Sequence, residues 1–207
     1  MNHYEDEQGT ELWHLHRVGK PTASRGSDLI TSTGSPSKSY TRYAEELAAD
    51  MYAGQSLSSF EGNSATQRGN QLEPEALAYY SFERSVDVVT CGFFTDTLDR
   101  YGASPDGLVG DDGLIEIKNQ QSGGHVKTAI AYHKTKKPPT SYIAQIAMQL
   151  LVTDRAWCDL VLYHPDLPKS IIRIERDVKF DEALKAQITA CIQHRDDILK
   201  TLKEIAA

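Results

Sequence analysis

The stretch Gly113-Leu114-Ile115-Glu116-Ile117-Lys118 constrains this chain more than any other. It reads as a short strand, on which residues two apart share a face. Glu116 and Lys118 therefore point together, while Ile115 and Ile117 point the other way, into a core. An acid and an amine on an otherwise apolar strand are costly if buried without partners. The strand makes sense in a sheet whose polar pair opens into a site. Just upstream, Ser104-Pro105-Asp106-Gly107 reads as a turn presenting a second carboxylate. Asp106 and Glu116 would then hold a divalent cation through hard oxygen ligands, with Lys118 beside the reacting group. The plain alternative is a hairpin whose turn uses Pro-Asp-Gly for its geometry, with Glu116 and Lys118 paired on an exposed face.

At 207 residues the chain can bury one sizeable core, so a single domain over residues 1–207 is expected. No apolar run approaches the roughly 20 residues of a membrane span. The opening Met1-Asn2-His3-Tyr4-Glu5-Asp6-Glu7 is acidic and does not read as a secretory signal. Cys91, Cys158 and Cys191 are scattered, form no CxxC pair, and fit a reducing, cytoplasmic setting.

The net charge of −7 argues against general binding to nucleic acid, which needs Lys and Arg for its phosphates. Its distribution softens that objection. Between Ile117 and Thr153 there is no Asp or Glu, but there are Lys118, Lys127, Lys134, Lys136 and Lys137 with His125 and His133. Such a strip can face a polyanion, or it can be a solvated basic loop.

Periodicity and turn residues predict helices over 22–31, 40–52, 64–84, 141–152 and 181–205. Thr22 or Ser24 would cap the first and Ser64 the third. Strands are predicted over 86–95, 98–103, 114–118, 156–163 and 170–176. That order implies an α/β fold, a mixed sheet flanked by helices.

Three flanking blocks add polar groups. Arg68-Gly69 with Glu73-Pro74-Glu75 sits early in a predicted helix, where either carboxylate could add a metal ligand or simply favour the helix start. Gln145 and Gln149 lie four apart, on one helical face. Trp13, Arg17 and Thr22-Ala23-Ser24 combine an arginine, hydroxyls and a helix start, a plausible phosphate cradle or plain capping. Carboxylates, a lysine and a phosphate cradle are the parts of a metal-dependent nuclease, in which the metal acidifies a water and offsets charge on the phosphate.

In order and spacing, from about Trp13 to about His164, these blocks resemble the phage-type recombination exonucleases. Lambda exonuclease and its bacterial relatives belong there, within the PD-(D/E)xK (restriction endonuclease-like) superfamily. The resemblance implies a processive 5′-to-3′ exonuclease on double-stranded DNA. It would release 5′-mononucleotides and leave 3′ overhangs for recombination by strand annealing. It implies Mg²⁺, with Mn²⁺ as a substitute, a homotrimeric ring, and a single-strand annealing protein as partner. Carried over by position, Asp106, Glu116 and the Ile117 carbonyl bind metal with Glu73 assisting. Lys118 and Gln145 position or activate the water, and Arg17, Ser24 and Ser104 take the 5′ phosphate. Glu75 competes with Glu73 for its place. Two other readings remain: an endonuclease of restriction or repair type on the same core, and a non-catalytic DNA-end binding module.

Overall fold

The computed structural model describes residues 1–57 and 64–207. Its elements are β1 (Asn2–Tyr4), α1 (Glu11–Arg17), a 3₁₀ turn (Ala23–Arg25), α2 (Gly26–Leu29), α3 (Tyr40–Ala53) and α4 (Ser64–Arg84). There follow β2 (Val88–Val89), β3 (Phe93–Thr95), β4 (Gly102–Ala103), β5 (Gly107–Val109), β6 (Gly113–Lys118) and α5 (Ser122–Thr135). The chain closes with α6 (Thr140–Thr153), β7 (Trp157–Leu162), β8 (Ser170–Glu175) and α7 (Val178–Ile205).

The main sheet has the order β2-β5-β6-β7-β8, with β6 and β7 parallel and the other neighbours antiparallel. A parallel pair needs a long crossover, and α5 with α6 supplies it. A smaller antiparallel sheet, β1-β3-β4, stands apart. Side-chain alternation along β6 follows the sequence reading. Ile115 and Ile117 pack with Ala76 and Tyr80 of α4, and Leu114, on the face of Glu116, packs with Ile146 and Leu150 of α6. The other side of α6 meets α2, α3 and α7 through Ala144, Met148, Leu47, Leu184 and Ile188. The fold is thus the expected mixed sheet between helices, with α6 sandwiched in the middle.

Several predicted elements differ. The 22–31 helix breaks into the 3₁₀ turn and α2, because Thr22 is extended and bridges Gly102 while Ile30 bridges Pro36. Thr22 makes no side-chain cap there. The 86–95 strand splits between the two sheets at Gly92, where a Cβ would meet the Tyr4 carbonyl oxygen at 2.1 Å. Of 98–103 only Gly102–Ala103 is strand, since Asp99 turns the chain at φ 57°. Ser104–Gly107 is not a hairpin turn. It carries the chain from β4 in the small sheet to β5 in the large one, and the hairpin turn is Gly110–Asp112, with Gly110 at φ 53°. The basic strip is not a loop either, since most of it forms α5. Glu73 and Glu75 lie well inside α4, not near its start. The loop-like Ser58 and Ser59, and the side chain of Ser64 with its cap, lie outside the described residues.

Candidate active site

β6 is the spine of the site. Asp106 is stitched along its edge: its N–H donates to the Ile115 carbonyl at 3.2 Å, and its Oδ2 accepts from the Ile117 N–H at 2.5 Å. The Lys118 carbonyl accepts from the Tyr163 N–H on the β7 side. Strand alternation therefore turns the Ile117 carbonyl to the opposite edge, toward Asp106 and past the start of β5.

Glu116 is only 3% exposed. Its Oε1 accepts from Lys118 Nζ and Gln145 Nε2, both at 2.6 Å, and its Oε2 accepts from Gln149 Nε2 at 2.6 Å. Gln145 Oε1 in turn accepts from Lys118 Nζ at 3.1 Å, and that ammonium lies 5.1 Å from the Tyr142 ring centre. Burial pushes the Lys118 pKa down, but the Glu116 carboxylate and its hydrogen bond outweigh this and hold the ammonium protonated.

The charges do not balance. Burial, then Glu116 and Glu73, raises the Asp106 carboxyl well above the usual carboxylate range, against the Ile117 N–H and Lys118. Burial and Glu116 also raise Glu73. Glu75 is exposed, and its carboxylate accepts from the Tyr163 hydroxyl. Of the two α4 carboxylates, Glu73 is the one whose charge Asp106 feels. Three carboxylates thus crowd one lysine, a donor set that suits a hard divalent cation. Among the described residues, no three acidic, His or Cys side chains stand close enough together to form a finished cation cage.

The residues of the expected cradle also come together. Arg17 Nη2 donates to Ser24 Oγ at 3.2 Å, and Trp13 Nε1 donates to Ser104 Oγ at 2.9 Å. The Arg17 guanidinium lies 4.0 Å from the Trp13 ring centre and 5.4 Å from that of Phe93. Burial lowers its pKa to about 10, partly offset by Tyr43, so it stays charged. No ion pair among the described residues includes Arg17. A cation held between aromatic faces with no carboxylate is suited to an anion.

Two links join cradle to carboxylates. Ser104 precedes Asp106 by two residues. Gly26, just after Ser24, lies so close to α6 that a Cβ there would meet the Ala144 carbonyl oxygen at 2.8 Å and Gln145 N at 3.2 Å. The structure thus brings together Arg17, Ser24 and Ser104 as one group, and Asp106, Glu116, Lys118 and Gln145 as its neighbour.

Four buried side-chain atoms without partners line the same region: Arg68 Nε, Asn119 Oδ1, Gln120 Oε1 and Gln149 Oε1. A buried polar atom left unpaired costs about 1–3 kcal/mol; Asp99 Oδ1, His125 Nδ1 and Asp181 Oδ1 are further such atoms elsewhere. Asn119 Nδ2 also holds the Gly69 carbonyl at 3.1 Å, and Gln120 Nε2 donates to the Tyr142 hydroxyl at 2.7 Å. Sequence pattern alone assigns Asn119, Gln120 and Tyr142 no role of their own. The first two directly follow Glu116-Ile117-Lys118, and that adjacency was the available signal.

The model of the YqaJ-like viral recombinase domain family matches residues 12–156, which span every residue of both groups. The chain belongs to this family. Its likeness to the alkaline exonuclease LHK-Exo of Laribacter hongkongensis covers 95% of this chain and 98% of that one, at 38% identity and a TM-score of 0.83. That relative is also known in complex with dAMP. A phage-related exonuclease of Haemophilus somnus 129PT, 18% identical over 88% of this chain and 96% of its own, shares the fold at a TM-score of 0.70. No curated protein matches. Like its LHK-Exo relative, this YqaJ-family chain has a PD-(D/E)xK-type fold. No helix among its described residues is long and apolar enough to cross a membrane.

Proposed function

We propose that this YqaJ-family chain is a divalent-metal-dependent exonuclease that degrades duplex DNA processively from its 5′ ends, releasing 5′-mononucleotides. The 3′ single strand left behind would serve recombination with a strand-annealing partner. One observation carries the reading: an unpaired, aromatic-sandwiched arginine with two hydroxyls stands beside three crowded carboxylates and a lysine.

Asp106, Glu116 and the Ile117 carbonyl would hold Mg²⁺ or Mn²⁺, assisted by Glu73. Bound there, the ion supplies an acidified water and offsets charge on the phosphate. Arg17 pairs with the terminal 5′ phosphate, and the Ser24 and Ser104 hydroxyls donate to its oxygens. Lys118, protonated against Glu116, turns its N–H groups to the oxygen on which charge builds at the cut bond. Gln145, already bridging Lys118 and Glu116, orients the attacking water by its amide. The single domain is cytoplasmic and works as a homotrimeric ring. Retention by a ring removes the need for a strongly basic surface, and the lysines of α5 and its C-terminal end supply local contacts with DNA phosphates.

Digestion of a linear 5′-phosphorylated duplex labelled at either 5′ or 3′ ends, with Mg²⁺ or with EDTA, tests this. The expected result is early release of 5′ label as mononucleotide with Mg²⁺, none with EDTA, and a closed circular duplex left intact. A nicked circle would instead indicate an endonuclease, and end binding without cleavage a DNA-end module.

A further inference from the structure

The two glutamines of α6 hold Glu116 differently. Gln145 is half-buried, and its amide is shared between Glu116 Oε1 and Lys118 Nζ, at 2.6 and 3.1 Å. Gln149 sits one turn further along and is fully buried. Its Nε2 donates to Glu116 Oε2 at 2.6 Å, while its own Oε1 has no partner. Its backbone carbonyl accepts from Thr153 Oγ1 at 2.7 Å. The flanking Ile146 and Leu150 lie in an apolar cluster with Leu114 and Cys158. An amide here leaves one polar atom unsatisfied, and its one side-chain hydrogen bond goes to Glu116.

The two oxygens of Glu116 therefore have different partners. Oε1 accepts from Lys118 and Gln145, which are only partly buried, so water can replace either bond when an ion takes Oε1. Oε2 is tied to a buried amide. Turning the carboxylate to offer both oxygens to one ion would leave the Gln149 N–H buried and unpaired, a costly outcome. We infer that Gln149 is a positioning and specificity-determining residue that reserves Oε2, so that Glu116 offers a bound cation a single oxygen. This rests on the metal reading above. A one-oxygen carboxylate suits small octahedral Mg²⁺ or Mn²⁺, whereas Ca²⁺ gathers six to eight oxygens and accepts two from one carboxylate. Gln149 thus biases the site against Ca²⁺.

The test measures Mn²⁺ and Ca²⁺ binding to the DNA-free full chain by calorimetry, for the wild type and for Gln149→Leu and Gln149→Met. Both variants keep most of the volume and remove the donor. Loss of such a ligand-orienting partner is expected to weaken Mn²⁺ roughly tenfold or more, with Ca²⁺ unchanged or tighter. The Met variant, unbranched like glutamine, carries the test if Leu disturbs folding. An unchanged Mn²⁺/Ca²⁺ affinity ratio in both variants, or equal losses for both ions, overturns the inference and leaves the metal reading intact. A wild type that binds neither ion overturns the metal reading as well.

Discussion

Two buried carboxylates on neighbouring strands meet opposite fates. Asp159 on β7 lies in register with Ile115 of β6 and is fully buried. Arg173 donates to both its oxygens, at 2.6 and 2.9 Å, and the Tyr80 hydroxyl adds a bond at 2.8 Å. Arg173 itself stacks on Trp157 with its guanidinium 3.4 Å from the ring centre. Charge and hydrogen bonds close locally, so this cluster holds α4, β7 and β8 together. Around Glu116 the hydrogen bonds close but the charges do not. Three carboxylates share one lysine, and orphaned polar atoms collect nearby. A buried charge with its partners in place is costly to break, whereas one left unbalanced points to a ligand.

The comparison breaks most sharply on activity. Lys118→Ala should lower kcat on duplex DNA by about 10³-fold or more, the range for losing a proton-handling or charge-stabilising group. Metal-dependent DNA binding should persist, as a gel-shift titration would show. Asp159→Asn should do the reverse, costing about 2 kcal/mol in urea unfolding. Arg173 is half exposed, so water takes up much of its freed charge. Near-normal stability in that variant would erase the proposed contrast. A smaller effect concerns the cradle. Arg17→Ala should reduce the preference for 5′-phosphorylated over 5′-hydroxyl duplex by roughly tenfold, and equal wild-type rates on the two ends would reduce the cradle to local packing.

The smallest effect lies in pH. The folded Asp106 carboxyl titrates above its unfolded range. Its contribution to metal-free stability is full below that unfolded range and is lost as pH rises through the raised value. In EDTA, wild-type stability should therefore decline across that window, and Asp106→Asn should flatten the decline. A parallel decline in both proteins would detach it from Asp106.

Much of the chemical site was legible because it rests on strand parity. The two-residue rule alone put Glu116 and Lys118 on one face and the isoleucines on the other. The i, i+4 spacing of Gln145 and Gln149 likewise foretold two amides on one side of α6. What stayed hidden depended on long-range packing. α1 buries no residue and leaves Leu12 and Leu15 exposed, so it has no apolar stripe to read. α5 buries only His125, carries two glycines in its first turn and exposes Val126 and Ile130, which looks like a loop by pattern. The division of 86–95 between two sheets follows from the close approach of Gly92 to Tyr4, a contact 88 residues apart along the chain. Glu73 and Glu75 differ only in the fold, where Tyr163 comes round to bond the latter.

Ser104 and Asp106 stand at the two ends of a tripeptide. Two residues span at most about 7 Å of backbone. On the reading proposed above, the hydroxyl that would grip a terminal phosphate and the carboxylate that would serve the cut are separated only by covalent bonds, with no hinge between them. The tripeptide is a ruler: on the reading proposed above, it sets the length of each bite from the strand, and no change in domain posture or salt can lengthen it.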